Sequence, residues 1–314
     1  MPTAPPLVPA TEPPTPGGAD ELLPGPGRAG RLASAVPGLV RWPNLAIMLL
    51  SMVLVRAMLL PGQPLAVVLL APQFGLLVLA ALLVAAAGYI INDYYDVKID
   101  AINRPDRLVV GRLLRRRHAM LAHLVLSGLG VALACSLSWR LGAVTLGAAA
   151  LLWGYSARFK REALVGNVSI GALTGALVLL PELQLLTGRQ AVWLYALAAF
   201  LLTVVREIVK DMEDMRGDAQ HGCRTLPLVW GVARSKWVAG FFLGCLLLLV
   251  LGAAGQLLAW GRWALAAWLL LLVLLPLLEL ARRLARADRR RHFRQLSAWC
   301  KGIMLAGILS MLLV

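Results

Sequence analysis

Long apolar runs recur along most of this chain of 314 residues, and they constrain its fold more than any other feature. Each run has roughly 20 residues, the length that an α-helix needs to cross about 30 Å of hydrocarbon. The chain is 60% hydrophobic and 15% charged, so one soluble core cannot hide its apolar surface. The fold class that follows is an all-α, multi-pass membrane protein. We predict nine spans, at 45–61, 73–93, 118–138, 141–156, 164–186, 190–210, 236–257, 263–284 and 296–314.

The remainder of the chain divides into a tail and one domain. Residues 1–40 are rich in Pro, Gly and Ala and show no helical period, so we expect a disordered tail. This tail lacks the basic start and apolar core of a signal peptide, so we expect it to stay attached. Residues 41–314 are then a single transmembrane domain.

Basic residues are distributed unequally between the loops. Three alternate loops hold one arginine each (Arg140, Arg189 and Arg262), and the tail and the other loops hold most of the rest. Basic loops stay on the cytoplasmic side, so we predict that the N-terminus lies in the cytoplasm and the chain in the cell (inner) membrane. The net charge of +15 then needs no nucleic-acid partner. We expect Arg115–Arg117 and Arg289–Arg291 to contact lipid headgroups.

Nine of the sixteen acidic residues fall into two clusters, each at the predicted cytoplasmic end of an apolar helix. The spacing of each cluster places its main members on one helical face. Two carboxylate faces at one membrane depth repel each other, and divalent cations between them remove that repulsion. Helix capping or pairing with nearby Lys and Arg is the alternative for either cluster alone. We predict a catalytic and metal-binding set of Asn92, Asp96, Asp100, Asp211, Asp214 and Asp218.

Cations flank both clusters. Lys98, Arg104 and Arg107 follow the first cluster, and Lys160 follows the fourth span. Positively charged donors are expected around a diphosphate, because its charge grows as a bond to it breaks. The pattern therefore indicates a diphosphate held by metal ions at the cytoplasmic face.

These motifs resemble the UbiA-type intramembrane prenyltransferases over about residues 41–314. Asn92–Asp100, with R-P-x-R at Arg104–Arg107, is similar to the first family signature, and Asp211–Asp218 to the second. The segment Tyr155–Lys160 resembles the short motif between them, and Arg41–Asn44 resembles the motif before the first span.

The resemblance implies nine helices bundled around a central cavity that opens to the cytoplasm. It implies two Mg²⁺ ions that grip the diphosphate of a polyprenyl donor, whose allylic cation is attacked by the acceptor. Tyr94, Tyr95 or Tyr155 would face that cation, or would anchor the interface. Membrane lipids are the other expected partners, with no obligate protein partner. The implied substrate-binding residues are Asn44, Arg104, Arg107, Tyr155, Lys160, Lys210 and Arg224.

Within the family, the two acidic segments look closest to the geranylgeranylglycerol-phosphate geranylgeranyltransferase branch. The donor would then be geranylgeranyl diphosphate and the acceptor geranylgeranylglycerol phosphate, in ether-lipid synthesis. Leu108 stands where many members have a proline, which weakens the assignment of the acceptor. The alternatives are an aromatic acceptor, as in quinone synthesis, and, more remotely, a cation-coupled transporter.

Overall fold

The computed structural model describes residues 28–60, 64–103, 109–220 and 222–314, with backbone alone for 28–29, 31–33 and 98–103. The described residues are almost all helical and contain no β-strand. This confirms the all-α fold class. The helices are α1 Arg28–Leu39, α2 Trp42–Leu54, α3 Leu65–Leu70, α4 Pro72–Asn103, α5 Arg116–Leu137, α6 Trp139–Ala157, α7 Val165–Leu185, α8 Gln190–Gln220, α9 Leu226–Ala259, α10 Trp263–Trp268, α11 Leu275–Arg286 and α12 Arg290–Ser310.

Two π-helical segments join helices into longer rods. Val55–Leu59 continues α2, and Leu269–Leu274 joins α10 to α11. A third irregularity lies in α9, which is kinked at Gly231, where φ is 81°. Only glycine adopts such a backbone conformation readily, so the kink follows directly from the sequence.

Eight helical stretches in the described part of the chain are long and apolar enough to cross a membrane. Together with α6, they coincide with the nine predicted spans. Helix α6 has 19 residues and is long enough to cross a membrane, but it is less apolar than the most apolar stretches of the other eight. Ser138 separates α5 from α6 and caps α6 by accepting a hydrogen bond from the Leu141 N–H at 3.2 Å. The number of membrane crossings stays a prediction.

Two helices extend well beyond their predicted spans and carry the acidic clusters with them. The span predicted at 73–93 belongs to a helix of 32 residues, α4, and that at 190–210 to one of 31, α8. The acidic residues therefore lie on continuous helices that project from the apolar layer.

The packing of α7 against α8 brings the middle of the chain to the second cluster. Gly171 makes this close approach possible, since a Cβ there would lie 2.6 Å from Val204 Cγ2 and 3.1 Å from the Phe200 carbonyl oxygen. On the opposite side of the bundle, α4 packs against α5 and α6, and α12 returns to pack against α8. The two acidic helices thus lie in one bundle with α6 and α7.

Part of the predicted tail lies within the described residues. Arg28–Leu39 forms helix α1, which departs from the expectation of disorder for these residues. Leu39 is buried and packs with Ile90 of α4 and Ala119 of α5, and this contact with the bundle accounts for the local order. The domain boundary at residue 40 stays a prediction.

Candidate active site

A large cavity of about 1640 Å³ lies inside the bundle. One end is polar and is lined by residues of α4, α8 and the segment after α6. The rest is apolar and is lined by α2, α4, α6, α7, α8, α9 and α12. Of the residues predicted for the site, Asn44, Asn92, Asp96, Tyr155, Lys160, Lys210, Asp211, Asp214 and Asp218 line this cavity. The structure therefore brings most of the predicted site together.

The α4 side of the polar end is a short hydrogen-bonded chain. Asn92 Nδ2 donates to Asp96 Oδ2 at 2.9 Å, as the spacing of one helical turn predicts. Lys160 Nζ donates to the other oxygen, Asp96 Oδ1. Both side chains of this ion pair are mostly buried. The carboxylate is thus neutralised by a lysine from a distant segment while it faces the cavity.

Gly166 at the start of α7 lets the short turn Phe159–Arg161, here called the Lys160 segment, lie close to the bundle. A Cβ on Gly166 would lie 2.8 Å from the Phe159 carbonyl oxygen and 3.0 Å from Lys160 Cα. Any larger residue would force that segment outward. The glycine therefore helps to place the lysine beside Asp96.

The α8 side is held by neutral donors. Asn167 Nδ2 on α7 donates to Asp211 Oδ2 at 2.8 Å. The Thr225 hydroxyl is 3.5 Å from Asp218 Oδ2, at the limit of a hydrogen bond. A small pocket beside the main cavity is lined by Lys160, Asn167 and Asp211 together. The two predicted signatures therefore meet around one polar space.

Helix α12 supplies cations to the same end. Arg290 Nη2 lies 4.0 Å from Asp214 Oδ1, and Arg294 Nε donates to Glu213 Oε1 at 3.0 Å. Arg290 also lines the cavity. Arg290 thus has a place beside the acidic face of α8, and headgroup contacts of Arg289–Arg291 stay a prediction.

The motif before the first span lies at the cavity entrance. Asn44 Nδ2 donates to the Tyr89 hydroxyl at 3.2 Å, and Arg41 pairs with Asp93 at 3.3 Å. The Arg41 guanidinium also lies over the Tyr89 ring, 4.9 Å from its centroid. The start of α2 is thus fastened to α4 one turn before Asn92 and Asp96.

Several predicted residues lie elsewhere. Arg224 is exposed and is not part of the cavity lining, and its backbone N–H donates to the Arg161 carbonyl oxygen at 2.8 Å. Tyr94 packs under the Arg116 guanidinium, and the Tyr95 hydroxyl accepts from Trp153, so only Tyr155 of the three tyrosines lines the cavity. Arg104 and Arg107 lie outside the described residues, as do the side chains of Lys98 and Asp100.

Cys223 also lines the cavity, between α8 and α9. Burial, reinforced by the nearby Asp218 carboxylate, raises the pKa of its thiol above the ordinary value. The thiol therefore stays protonated near neutral pH. In this protonated form the thiol is a poor nucleophile.

The donor groups fit a magnesium ion that arrives with a diphosphate. Among residues with described side chains, no three His, Cys, Asp or Glu groups converge closely enough to form a complete metal site. Mg²⁺ ordinarily takes only one or two carboxylates in such sites and completes its octahedron with phosphate oxygens and water. Separated carboxylates on α4 and α8, with lysine beside them, match that arrangement.

Sequence reasoning did not select Asn167 or Arg206. Asn167 is a lone amide in an apolar span and bonds Asp211. Arg206 forms an ion pair with Glu207, which precedes Asp211 by one turn of α8. Polar side chains inside predicted spans are costly unless they have partners or a role, and that cost is the signal that marks them in the sequence.

The polar cavity described above has counterparts in known proteins. Residues 61–302 match the model of the UbiA prenyltransferase family. A digeranylgeranylglyceryl phosphate synthase of Methanospirillum hungatei is 31% identical over 235 residues, which cover 74% of this chain and 81% of that protein. The synthase of Methanosarcina mazei is 39% identical over 166 residues, or 52% of this chain and 57% of that protein. The match thus spans little more than half of this second relative.

Solved structures share the fold. A structure described as giving insights into digeranylgeranylglyceryl phosphate synthase in membranes has a TM-score of 0.69 at 22% identity. It covers 90% of this chain and 100% of that one. A UbiA homologue from Archaeoglobus fulgidus, bound to GPP and Mg²⁺, has a TM-score of 0.61 at 17% identity and covers 88% and 99%. These likenesses confirm the architecture of the bundle.

Proposed function

Because the chain belongs to the UbiA prenyltransferase family, we propose that it transfers a geranylgeranyl group from its diphosphate to geranylgeranylglycerol phosphate. The family makes this chain a multi-pass membrane enzyme of the prenyltransferase class, so the transporter alternative falls away. The proposal adds the donor, the acceptor and the metal. Its product, digeranylgeranylglyceryl phosphate, is an intermediate of ether-linked isoprenoid lipids.

One observation carries the proposal: a single cavity joins a charged end to a long apolar interior. A polyprenyl diphosphate has the same division, with a strongly anionic head and a hydrocarbon tail. Ligand pockets usually measure about 300–1,000 Å³. A cavity of about 1640 Å³ has room for a second substrate beside the donor, as transfer between two lipids requires.

The residues at the polar end have separable tasks in this proposal. Asn92, Asp96, Asp211, Asp214 and Asp218 would hold two Mg²⁺ ions, with Asp100 on the following turn of α4. When bound, the metal ions neutralise the diphosphate as it leaves.

Lysine and amide groups complete the grip on the donor. Lys160 already neutralises Asp96, and it is placed to donate to a phosphate oxygen when that carboxylate turns to a cation. Asn167 holds one carboxylate oxygen of Asp211 in place. Tyr155 and Asn44 line the same cavity, and Tyr155 presents an aromatic ring where charge develops on the prenyl carbon. Arg104 and Arg107 remain proposed diphosphate contacts on sequence grounds.

The identity of the acceptor is supported by two relatives, which are named for synthesis of digeranylgeranylglyceryl phosphate. Orientation is supported by the loop charges, which place the polar end of the cavity on the cytoplasmic side. An aromatic acceptor is the competing assignment, and it needs no second lipid chain in the cavity.

A transfer assay with purified protein in detergent tests the proposal. The protein receives Mg²⁺, isotopically labelled geranylgeranyl diphosphate and geranylgeranylglycerol phosphate. We expect the label in a lipid phosphate with two prenyl chains, with loss of turnover in EDTA and recovery on adding Mg²⁺. Label that stays in diphosphate or in free prenyl alcohol would contradict the proposed acceptor.

A further inference from the structure

Arg206, Lys210 and Lys301 line the cavity but are not among the groups proposed above to hold the donor. We propose that Arg206, Lys210 and Lys301 form a binding site for the phosphate of the acceptor lipid, separate from the groups that hold the donor diphosphate. This inference rests on the proposed function and deepens it. The family resemblance implies Lys160, Lys210 and Arg224 among the substrate-binding residues, but Lys160 is paired with Asp96 and Arg224 is not part of the cavity lining.

Helix α8 presents two neighbouring faces to the cavity. Glu207, Asp211, Asp214 and Asp218 lie on the acidic face. Thr203, Arg206 and Lys210 follow each other at i, i+3 and i+7, so they share a second face beside the first. All seven residues line the cavity. The cationic groups thus lie directly beside the acidic face, and Arg206 is paired with Glu207 of that face.

Two buried polar atoms on the cationic face lack partners among the described residues. Thr203 is 3% exposed, and its hydroxyl oxygen is buried without a hydrogen bond. Arg206 donates to Glu207 through Nη1, but its Nε is also buried without a partner. A buried donor left unpaired in an apolar layer is costly, and an anion in the cavity would satisfy both.

The third cation comes from α12. Lys301 lines the cavity and shares one helical face with Met304, Ile308 and Met311, which also line it. Its side chain is exposed, so it lies where the cavity opens between helices. On α8, Arg206 is likewise followed toward the start of the helix by the less polar lining residues Leu202, Ala199 and Tyr195. The part of the cavity between α8 and α12 is therefore cationic at one end and mostly apolar beyond it, as the binding of a lipid phosphate requires.

The depth of Arg206 also fits an acceptor. It precedes Asp211 by five residues, which places it about 7.5 Å further along α8 from the polar end, at about 1.5 Å per residue. In the proposed arrangement, the donor's reacting carbon lies next to its diphosphate on the side of the apolar interior. The acceptor hydroxyl approaches that carbon from the interior, and the acceptor's phosphate then lies a few bonds away from this hydroxyl.

The test is a comparison of Michaelis constants in the transfer assay. Lys301→Gln removes an exposed charge and should not disturb folding. Arg206→Gln removes the buried charge, and Arg206→Lys restores it. Arg234→Gln, an exposed arginine of α9 outside the cavity lining, is the matched control. We expect the acceptor KM to rise about tenfold or more in Lys301→Gln and Arg206→Gln, the usual effect of losing one charge-assisted hydrogen bond.

Two further readouts separate phosphate binding from a general structural role. The donor KM should stay within about twofold of wild type, which is a much smaller change than the loss of one hydrogen bond to the donor would cause. Inhibition by the phosphate-free alcohol geranylgeranylglycerol should be unchanged, because this alcohol has no phosphate for the substituted cation to bind. An unchanged acceptor KM, an equal rise in donor KM, or an equal loss of alcohol binding would overturn the site. A wild-type enzyme that makes no glycerol ether would instead refute the proposed function, before any variant is compared.

Discussion

Asn167 of α7 donates a hydrogen bond of 2.8 Å to Asp211 of α8, and this contact joins the two helices beside the cavity. The amide holds one oxygen of a mostly buried carboxylate in place before any ligand arrives. Side chains that orient metal ligands in this way commonly change metal affinity or activity by about 10–100-fold when they are replaced. The contact therefore gives a direct test of the proposed metal site.

Asn167→Leu should raise the Mg²⁺ concentration needed for half-maximal activity by about tenfold or more. The leucine fills similar space but cannot donate to Asp211. Transfer activity measured across a Mg²⁺ titration checks this. Ser169→Ala is the control, because Ser169 is buried on the same helix and its hydroxyl donates to the Val165 carbonyl oxygen one turn earlier in α7. A Mg²⁺ dependence equal to wild type in Asn167→Leu would contradict this role.

Asp96→Ala and Asp214→Ala should each abolish turnover while the protein remains folded. Each change removes a proposed ligand from one of the two acidic helices, and the proposed site needs ligands from both helices. Product formation and thermal unfolding in detergent measure the two properties separately. Asp288→Asn, which alters an exposed carboxylate near the start of α12, should behave as wild type. Full activity in either alanine variant at saturating donor would refute the proposed two-helix metal site.

Gly166→Leu should lower activity by about 10–100-fold, since small displacements of a catalytic group have effects of this size. The new side chain meets the backbone of Phe159 and Lys160 and forces the lysine away from Asp96. Gly252→Leu on α9 is the matched change, because its Cβ meets nothing within 4 Å. Kinetic assays of both variants check the prediction. Equal activities would show that the position of the Lys160 segment is unimportant.

The topology has its own test in a background without the four native cysteines. Arg189→Cys should react with an impermeant thiol reagent applied outside intact cells, and Arg112→Cys should be protected. The reason is the charge distribution, which retains the arginine-rich loops in the cytoplasm. Reaction of Arg112→Cys with protection of Arg189→Cys would reverse the orientation and place the polar end of the cavity outside.

Much of the fold follows from the sequence because the membrane permits few solutions. A run of about 20 apolar residues must be helical, since hydrocarbon offers no other partner to its backbone groups. The predicted spans therefore match observed helices closely, and the break predicted at 139–140 lies at Ser138, within two residues of that position. The helical lengths of α4 and α8 were underestimated, because their polar extensions are helical without being apolar.

The site was predicted in part for a different reason. Asn92 and Asp96 are close in sequence, so their spacing alone predicts their contact. Asn167 and Asp211 are 44 residues apart, and only the packing of α7 on α8 brings them together. Arg224 does not line the cavity although Cys223 and Thr225 on either side of it do, and motif spacing alone does not reveal which residue of such a loop faces inward. Contacts between helices thus decide which charged residues of a motif reach the site.

Competition between acceptors tests the central claim most directly. Purified protein receives Mg²⁺ and labelled geranylgeranyl diphosphate, with geranylgeranylglycerol phosphate and 4-hydroxybenzoate at equal concentration. We predict that nearly all label enters digeranylgeranylglyceryl phosphate, because we propose that the cavity of about 1640 Å³ holds two lipid chains and a second anion. Prenylated hydroxybenzoate as the main product would contradict the glycerol-lipid assignment.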